Sequence, residues 1–201
     1  MRPFKVLAID QSLTAMAAVS LLEAEPGKLR LTDQRVCRSK STGIHRLGDL
    51  RQAFNNWIQD RHSIWVREMH NMRQFGAASA LHSLSGIIDL MALDQGMLDG
   101  DKYAIISPST WKKFITGKGT LKKDTAYLMT LNRHLRAHPM LETDEAFEVD
   151  DDNVADAICM GVTAYACLKV KLEQRLPVTE TVRKQLKGVL DKMFDHGSAA
   201  N

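Results

Sequence analysis

Much of what would classify this sequence quickly is missing from it. Cysteine is scarce: Cys37, Cys159 and Cys167 are the three in 201 residues, and none stands in a Cys-x-x-Cys spacing. That argues against a structural zinc site and against a disulfide framework, and leaves buried thiols as the expectation. No apolar run approaches the length of a bilayer span, so no membrane partner is expected. The opening MRPFKVLAID lacks the apolar segment and small-residue cleavage site of a secretory signal, which points to an intracellular, cytoplasmic protein. Internal repeats and low-complexity tracts are absent too, and a net charge of +3 says little about partners.

What is present is pattern. Charge is segregated: residues 102–136 hold eight Lys or Arg against one acid, and residues 137–156 hold eight acids and no Lys or Arg. Residues 4–9, about 14–22 and about 29–37 read as strands, with EAEPGK as a polar Pro-Gly turn between the last two. The period then changes. Ile44, Leu47, Leu50, Phe54, Trp57 and Ile58 recur at three- and four-residue steps, which predicts an amphipathic helix capped by Ser41 or Thr42.

SIWVRE predicts a short strand ending at Glu68, GAASALHSLSGIIDLMALDQ a helix, and KYAIIS another strand. A short helix is expected from Pro108 through Trp111 and Phe114, and a further one over LKKDTAYLMTLNRHLR. An acidic loop over 137–151 leads into the apolar helix DNVADAICMGVTAYACLKV, and beyond Pro177 a separate helix, TETVRKQLKGVLDKMF, precedes a frayed tail. A meander followed by alternating helices and strands implies an α/β fold, with a mixed sheet flanked by helices. We assign residues 1–173 to that domain and 174–201 to a C-terminal helix and tail.

Within this scheme the acids fall at special places. Asp10 and Glu68 each close a strand, and Asp156, with Asp152 one turn earlier, opens a helix; strand ends and helix starts form the rim of an α/β sheet. Residues four apart on a helix face the same way, so Asp152 and Asp156 can point at one site. Carboxylates gathered at one rim repel one another unless a cation neutralises them, and hard oxygen ligands suit magnesium, with manganese as a substitute. The segment STWKKFITGKGTLKK, basic and punctuated by glycine, suggests a polyanion held over such a site.

Those residues resemble the RuvC-type Holliday-junction resolvases of the RNase H-like (retroviral integrase) superfamily, including phage-type versions, over about residues 4–170. VLAIDQSLTAMAAV is similar to the family's first strand, with Asp10 as its first catalytic Asp; WVREMHNMRQFGAASALHSLSGII to the segment carrying its catalytic Glu, here Glu68; and DDNVADAICMGVTAYA to the final helix, with Asp156 as the last catalytic Asp. STWKKFITGKGTLKKDTA resembles the DNA-contacting segment, its two family lysines falling at Lys112 and Lys123 around Gly117 and Gly119. Lys113, Lys118, Lys122 and His70 complete the expected DNA contacts.

Three positions depart from the family pattern. Gln11-Ser12 stands where Pro-Gly or similar is usual after the first Asp. Asn153 stands where the last Asp has an Asp or His partner three residues earlier, so the fourth ligand falls to Asp152, with Asn153 as the alternative metal contact. Asn71 replaces the aromatic that often follows the catalytic Glu and opens the junction, leaving Met69, His70 and Met72 as candidates.

The resemblance implies an RNase H-like domain, two divalent ions per site, cleavage of four-way or otherwise branched DNA to leave 5′ phosphates, and a homodimer that matches the twofold junction. Alternatives are a nuclease of broader branched or flap substrates, a non-catalytic DNA-binding module, and a sugar-kinase-like ATPase. The last typically needs Gly after the strand-ending Asp, and Gln11 counts against it.

Overall fold

The computed structural model describes residues 4–58, 61–69, 78–174 and 176–194. β1 (Lys5–Asp10), β2 (Met16–Glu25) and β3 (Lys28–Cys37) form the antiparallel meander, closed between β2 and β3 by Gly27 at φ 86°. β4 (Ile64–Glu68) pairs parallel to β1 and β5 (Tyr103–Ile106) parallel to β4, giving a mixed five-stranded sheet in the order β3-β2-β1-β4-β5. The helices are α1 (Gly43–Trp57), α2 (Ala78–Asp94), α3 (Pro108–Thr116), α4 (Tyr127–Arg136), α5 (Asp152–Lys171) and α6 (Glu180–Phe194).

Strand side chains alternate between faces, so each strand feeds two cores. Leu7, Ile9, Trp65 and Tyr103 pack with Leu50, Phe54 and Ile58 of the α1 segment and Leu84 and Ile88 of α2. Val6, Ala8, Ile64, Val66, Ala104 and Ile106 face the other way, against α5 and the helices around it. Asp10 and Glu68 continue that second alternation, so they close strands whose preceding side chains lie beneath α5. Gly161 sets how closely α5 can sit: a Cβ there would meet Leu21 Cδ1 at 2.7 Å and Ala8 Cβ at 3.1 Å. A larger residue would push the helix, and Asp156 with it, away from β1.

Two expectations need correction. α5 is long and apolar enough by composition to cross a bilayer, contrary to the reading that no segment approaches that length, but it is almost wholly buried. It lies on the sheet, with α3, α4 and α6 packed against it, which is why it is apolar nearly all round. The helix expected over residues 121–136 begins only at Tyr127. Asp124 diverts its start: its carboxylate accepts the Ala126 N–H at 3.0 Å and its carbonyl the Tyr127 N–H at 3.0 Å, a local turn that competes with helix. Lys123 is thereby left outside the helix.

Candidate active site

Strand register brings the first two acids together. Ile9 lies opposite Arg67 in the parallel β1–β4 pair, so the next residues, Asp10 and Glu68, come level on one face. Asp10 is only 5% exposed. The unusual Gln11 has a role here: its side-chain N–H donates to the Glu68 carbonyl at 2.7 Å, and its Oε1 accepts from the Ser85 hydroxyl of α2 at 3.1 Å. Gln11 thus ties the ends of β1 and β4 to α2. Trp111 of α3 donates its indole N–H to Glu68 Oε1 at 3.4 Å.

The third acid comes from α5. Asp151 is the N-cap, its carboxylate accepting the backbone N–H of Asn153 at 2.9 Å and of Val154 at 3.2 Å. One turn into the helix, Asp156 is buried and accepts the Tyr127 hydroxyl on Oδ1 at 2.6 Å. The Lys123 ammonium lies 2.9 Å from Asp156 Oδ2 and 3.4 Å from Asp152 Oδ2. Asn153 turns its side-chain amide to Asp151 Oδ1 at 3.2 Å. Of the two residues open as a fourth ligand, Asp152 therefore shares Lys123 with Asp156, while Asn153 serves the helix cap.

The charges do not balance. Burial pushes the Asp10 carboxyl well above the ordinary range; Glu68, Asp156 and Asp152 add to the rise, and Lys123 opposes it. Glu68 is raised by burial and then by Asp156, against Trp111, Lys123 and Lys112. Asp156 is raised by burial despite Lys123 and Tyr127. Lys123 moves up in turn, because Asp156, Asp10 and Asp152 outweigh its own burial. Four carboxyl groups share one close ammonium, a cluster that further positive charge would stabilise.

Among the described residues, no three histidine, cysteine or acidic side chains already stand together as a ready cation-binding group. The donor chemistry nevertheless fits a hard divalent cation: the buried groups are all carboxylates, and the charge they lack is positive. Lys123 now supplies part of that charge at Asp156 Oδ2, so a cation there and Lys123 would take the same oxygen.

The basic segment folds beside the acids. Ser107 caps α3, accepting the Thr110 N–H at 3.3 Å, and Gly117 ends it at φ 77°, where a side chain would be strained. Lys112 reaches back to the Leu121 carbonyl at 3.5 Å and lies over the rings of Trp111 and Tyr127, 5.2 and 5.7 Å from their centroids. Lys113, Lys118 and Lys122 are exposed, and their side chains form no ion pair among the described residues. His70, Asn71 and Met72 lie outside the described residues; Met69 is 39% exposed, its N–H donating to the Ile106 carbonyl at 2.8 Å. Cys159 and Cys167 are buried and Cys37 is half-buried, all as free thiols.

Sequence reasoning missed Tyr127, Trp111, Gln11 and Asn132 as parts of this arrangement. Asn132, buried on α4, clamps the acidic loop by accepting the Val149 N–H at 3.0 Å and donating to the Val149 carbonyl at 2.8 Å. The amphipathic period of α4 marks it as an inward-facing polar residue, the kind that needs a partner; nothing local names that partner.

No protein-family model and no curated protein matches this sequence. Solved structures do match. The Thermus thermophilus RuvC structure superposes with TM-score 0.63 at 17% identity, covering 87% of this chain and 100% of that one. The fold is that of a RuvC-type resolvase. T. thermophilus RuvC in complex with Holliday junction substrate gives TM-score 0.61 at 18% identity, over 79% of this chain and 91% of that one. The yeast mitochondrial Holliday junction resolvase Ydc2 gives 0.55 at 13% identity, over 93% and 82%. The RuvC-type fold accounts for the mixed sheet and, among the described residues, the six helices that flank it.

Proposed function

We propose that this protein is a structure-selective endonuclease that resolves four-way or related branched DNA by metal-dependent phosphodiester hydrolysis. The observation that carries the proposal is the cluster of Asp10, Glu68 and Asp156 at one rim, under-neutralised and adjoined by the lysines of the α3–α4 segment. The likeness to resolvase structures supports the choice of substrate.

Asp10, Glu68 and Asp156, with Asp152, would hold two magnesium ions, or manganese in their place. Bound divalent ions lower the pKa of a water and neutralise charge on the phosphate and the leaving oxygen. The protein's own part is positional. Gln11 and Trp111 hold Glu68, Tyr127 holds one oxygen of Asp156, and Lys112 and Lys123 meet the phosphate backbone. Water oxygen bonds to phosphorus as the bond to the 3′ oxygen breaks; the products carry a 5′ phosphate and a 3′ hydroxyl.

A second copy would present a second site to the twofold junction. Leu90 and Leu93 support a homodimer: they stand 63% and 56% exposed on α2, whose Leu84, Ile88 and Met91 are buried. Sedimentation of the parent and of Leu90→Glu tests it, and a parent that stays monomeric at assay concentration refutes it. We place the protein in the cytoplasm of a bacterial cell, encoded by the host or by a phage.

The deciding assay is cleavage of a synthetic four-way junction beside linear duplex of the same sequence, with magnesium or with chelator. Magnesium-dependent nicking confined to the junction is expected. Equal cutting of linear duplex, or activity in chelator, refutes the reading.

A further inference from the structure

Residues 107–122 line two hollows that share a wall. One is bordered by Lys112 and Lys122, the other by Lys113 and Lys184, and Ser109 and Gly119 belong to both. Lys184 is contributed by α6, which lies beyond residues 4–170, the stretch whose sequence resembles the resolvases. The first hollow reaches the neighbourhood of the acidic rim through Lys112, which lies over the rings of Trp111 and Tyr127, the two side chains that donate to Glu68 and Asp156. The second runs over α3 to α6, where Gly188 forms part of the floor.

We propose that these hollows form one continuous track for a DNA backbone, and that α6, through Lys184, binds phosphates of a DNA arm at a distance from the cleavage site. The proposal rests on the DNA-cleaving function above and adds a contact to it.

Three observations favour a polyanion over any other occupant. The cations come from three separate elements: α3, the loop after it, and α6. Among the described residues no acid lines either hollow, and the side chains of Lys113, Lys122 and Lys184 form no ion pair, so none of their charge is spent on those residues. The floor is also low where a backbone would pass. A Cβ on Gly188 would meet nothing within 4 Å, and one on Gly119 only the Ser109 carbonyl at 3.7 Å.

α6 does both jobs because it is amphipathic. Leu186, Leu190 and Met193 are buried against the core, while Lys184, Gln185 and Gly188 are exposed at the track. Packing against α5 fixes the helix; the opposite side is free to bind. Phosphate contacts of this kind add affinity without reading sequence, and each one lost lowers the salt dependence of binding by about one unit of slope.

The test is a salt titration of junction binding in chelator, so that binding is read without cleavage, on the parent, Lys184→Gln and Gly188→Glu. Lys184→Gln should reduce the slope of log affinity against log salt by about one and weaken binding several-fold at moderate salt. Gly188→Glu places an acid in the track where a side chain has room, and should weaken binding at least as much. Melting temperatures near the parent's establish that both variants fold. A parent that binds with a steep slope, and two folded variants that match it, would overturn the track while leaving the nuclease reading intact. A parent with no salt-dependent binding of DNA overturns both.

Discussion

Near the end of α5, Lys169 and Tyr165 hold Glu23; near its start, Lys123 and Tyr127 hold Asp156. Each lysine also stands over the ring of its tyrosine, at 5.2 Å in the first cluster and 5.3 Å in the second. At Glu23 the account closes: Lys169 pairs with it at 2.9 Å, and burial, which would raise its pKa, is outweighed by hydrogen bonds from Tyr165, Lys169 and the Gly27 N–H. Its carboxyl is held below the ordinary range. At Asp156 the same kind of clamp fails to do this, because burial outweighs Lys123 and Tyr127 there; Asp10 and Glu68 are raised by burial too, and neighbouring acids add to their rise. One acid per cation makes a structural tie; four acids around one lysine make a site that needs something from outside.

The largest effect should come from removing one charge at each cluster. Asp10→Asn should lower junction cleavage by on the order of 10³-fold while leaving junction binding in chelator intact, because affinity comes mainly from cationic contacts to phosphate. It should also raise the melting temperature of the metal-free protein, since a buried, repelled charge has gone; about 1 kcal/mol corresponds to about 2–4 °C at this size. Glu23→Gln should do the reverse, lowering stability by about 1.5–3 kcal/mol with cleavage unaltered. A destabilised Asp10→Asn would show that the rim acids are as well compensated as Glu23.

Next comes the choice between neighbours at the start of α5. Asp152 shares Lys123 with Asp156, whereas Asn153 serves the cap, so Asp152→Asn should reduce cleavage by about 10- to 100-fold and recover partly at high magnesium. Asn153→Ala should cost far less. If the ranking reverses in a magnesium titration, the amide is the fourth ligand.

The tyrosines give a smaller contrast. Tyr127→Phe keeps the ring beside both lysines and loses only the hydrogen bond to Asp156, so cleavage should fall about tenfold and more divalent cation should be needed for half-maximal rate. Tyr165→Phe should cost about 1 kcal/mol of stability and leave the cation requirement unchanged. Equal cation requirements in both variants would remove Tyr127 from the site.

The subtlest difference is in pH. Carboxyls raised in the folded state bind protons more tightly folded than unfolded, so their contribution to stability is fully present below the ordinary carboxylate range and is lost as pH rises through their raised values. Glu23, held low, contributes above the ordinary range and loses that as pH falls. In chelator, the melting-temperature gain of Asp10→Asn over the parent should therefore grow from about pH 4 to about pH 8, and the deficit of Glu23→Gln should shrink toward low pH. Flat differences across that range would mean that neither carboxyl titrates differently on folding.

Sequence by itself determined the strands, most of the helices, and the placing of Asp10, Glu68 and Asp156 at element ends. Those features have a local cause: alternation and three-to-four periodicity follow from backbone geometry, and a charged residue closing an apolar run stands out against both. It also marked the basic segment as adjoining the acids, since charge blocks are visible residue by residue. Tertiary structure alone decided that Asp10 and Glu68 come level, which is a matter of strand register. It decided too that Gln11 bridges to Glu68 and Ser85, that Asn132 clamps Val149, that Trp111 and Tyr127 each hold one acid, and that Lys184 joins the track of Lys113. Asp124 shows the boundary between the two: its turn is local, yet it ended a helix that periodicity extended, and so freed Lys123 to reach Asp156. A hydrogen bond across 17 to 74 residues leaves no periodic trace in the chain, because its partners are brought together by packing whose rules are not local.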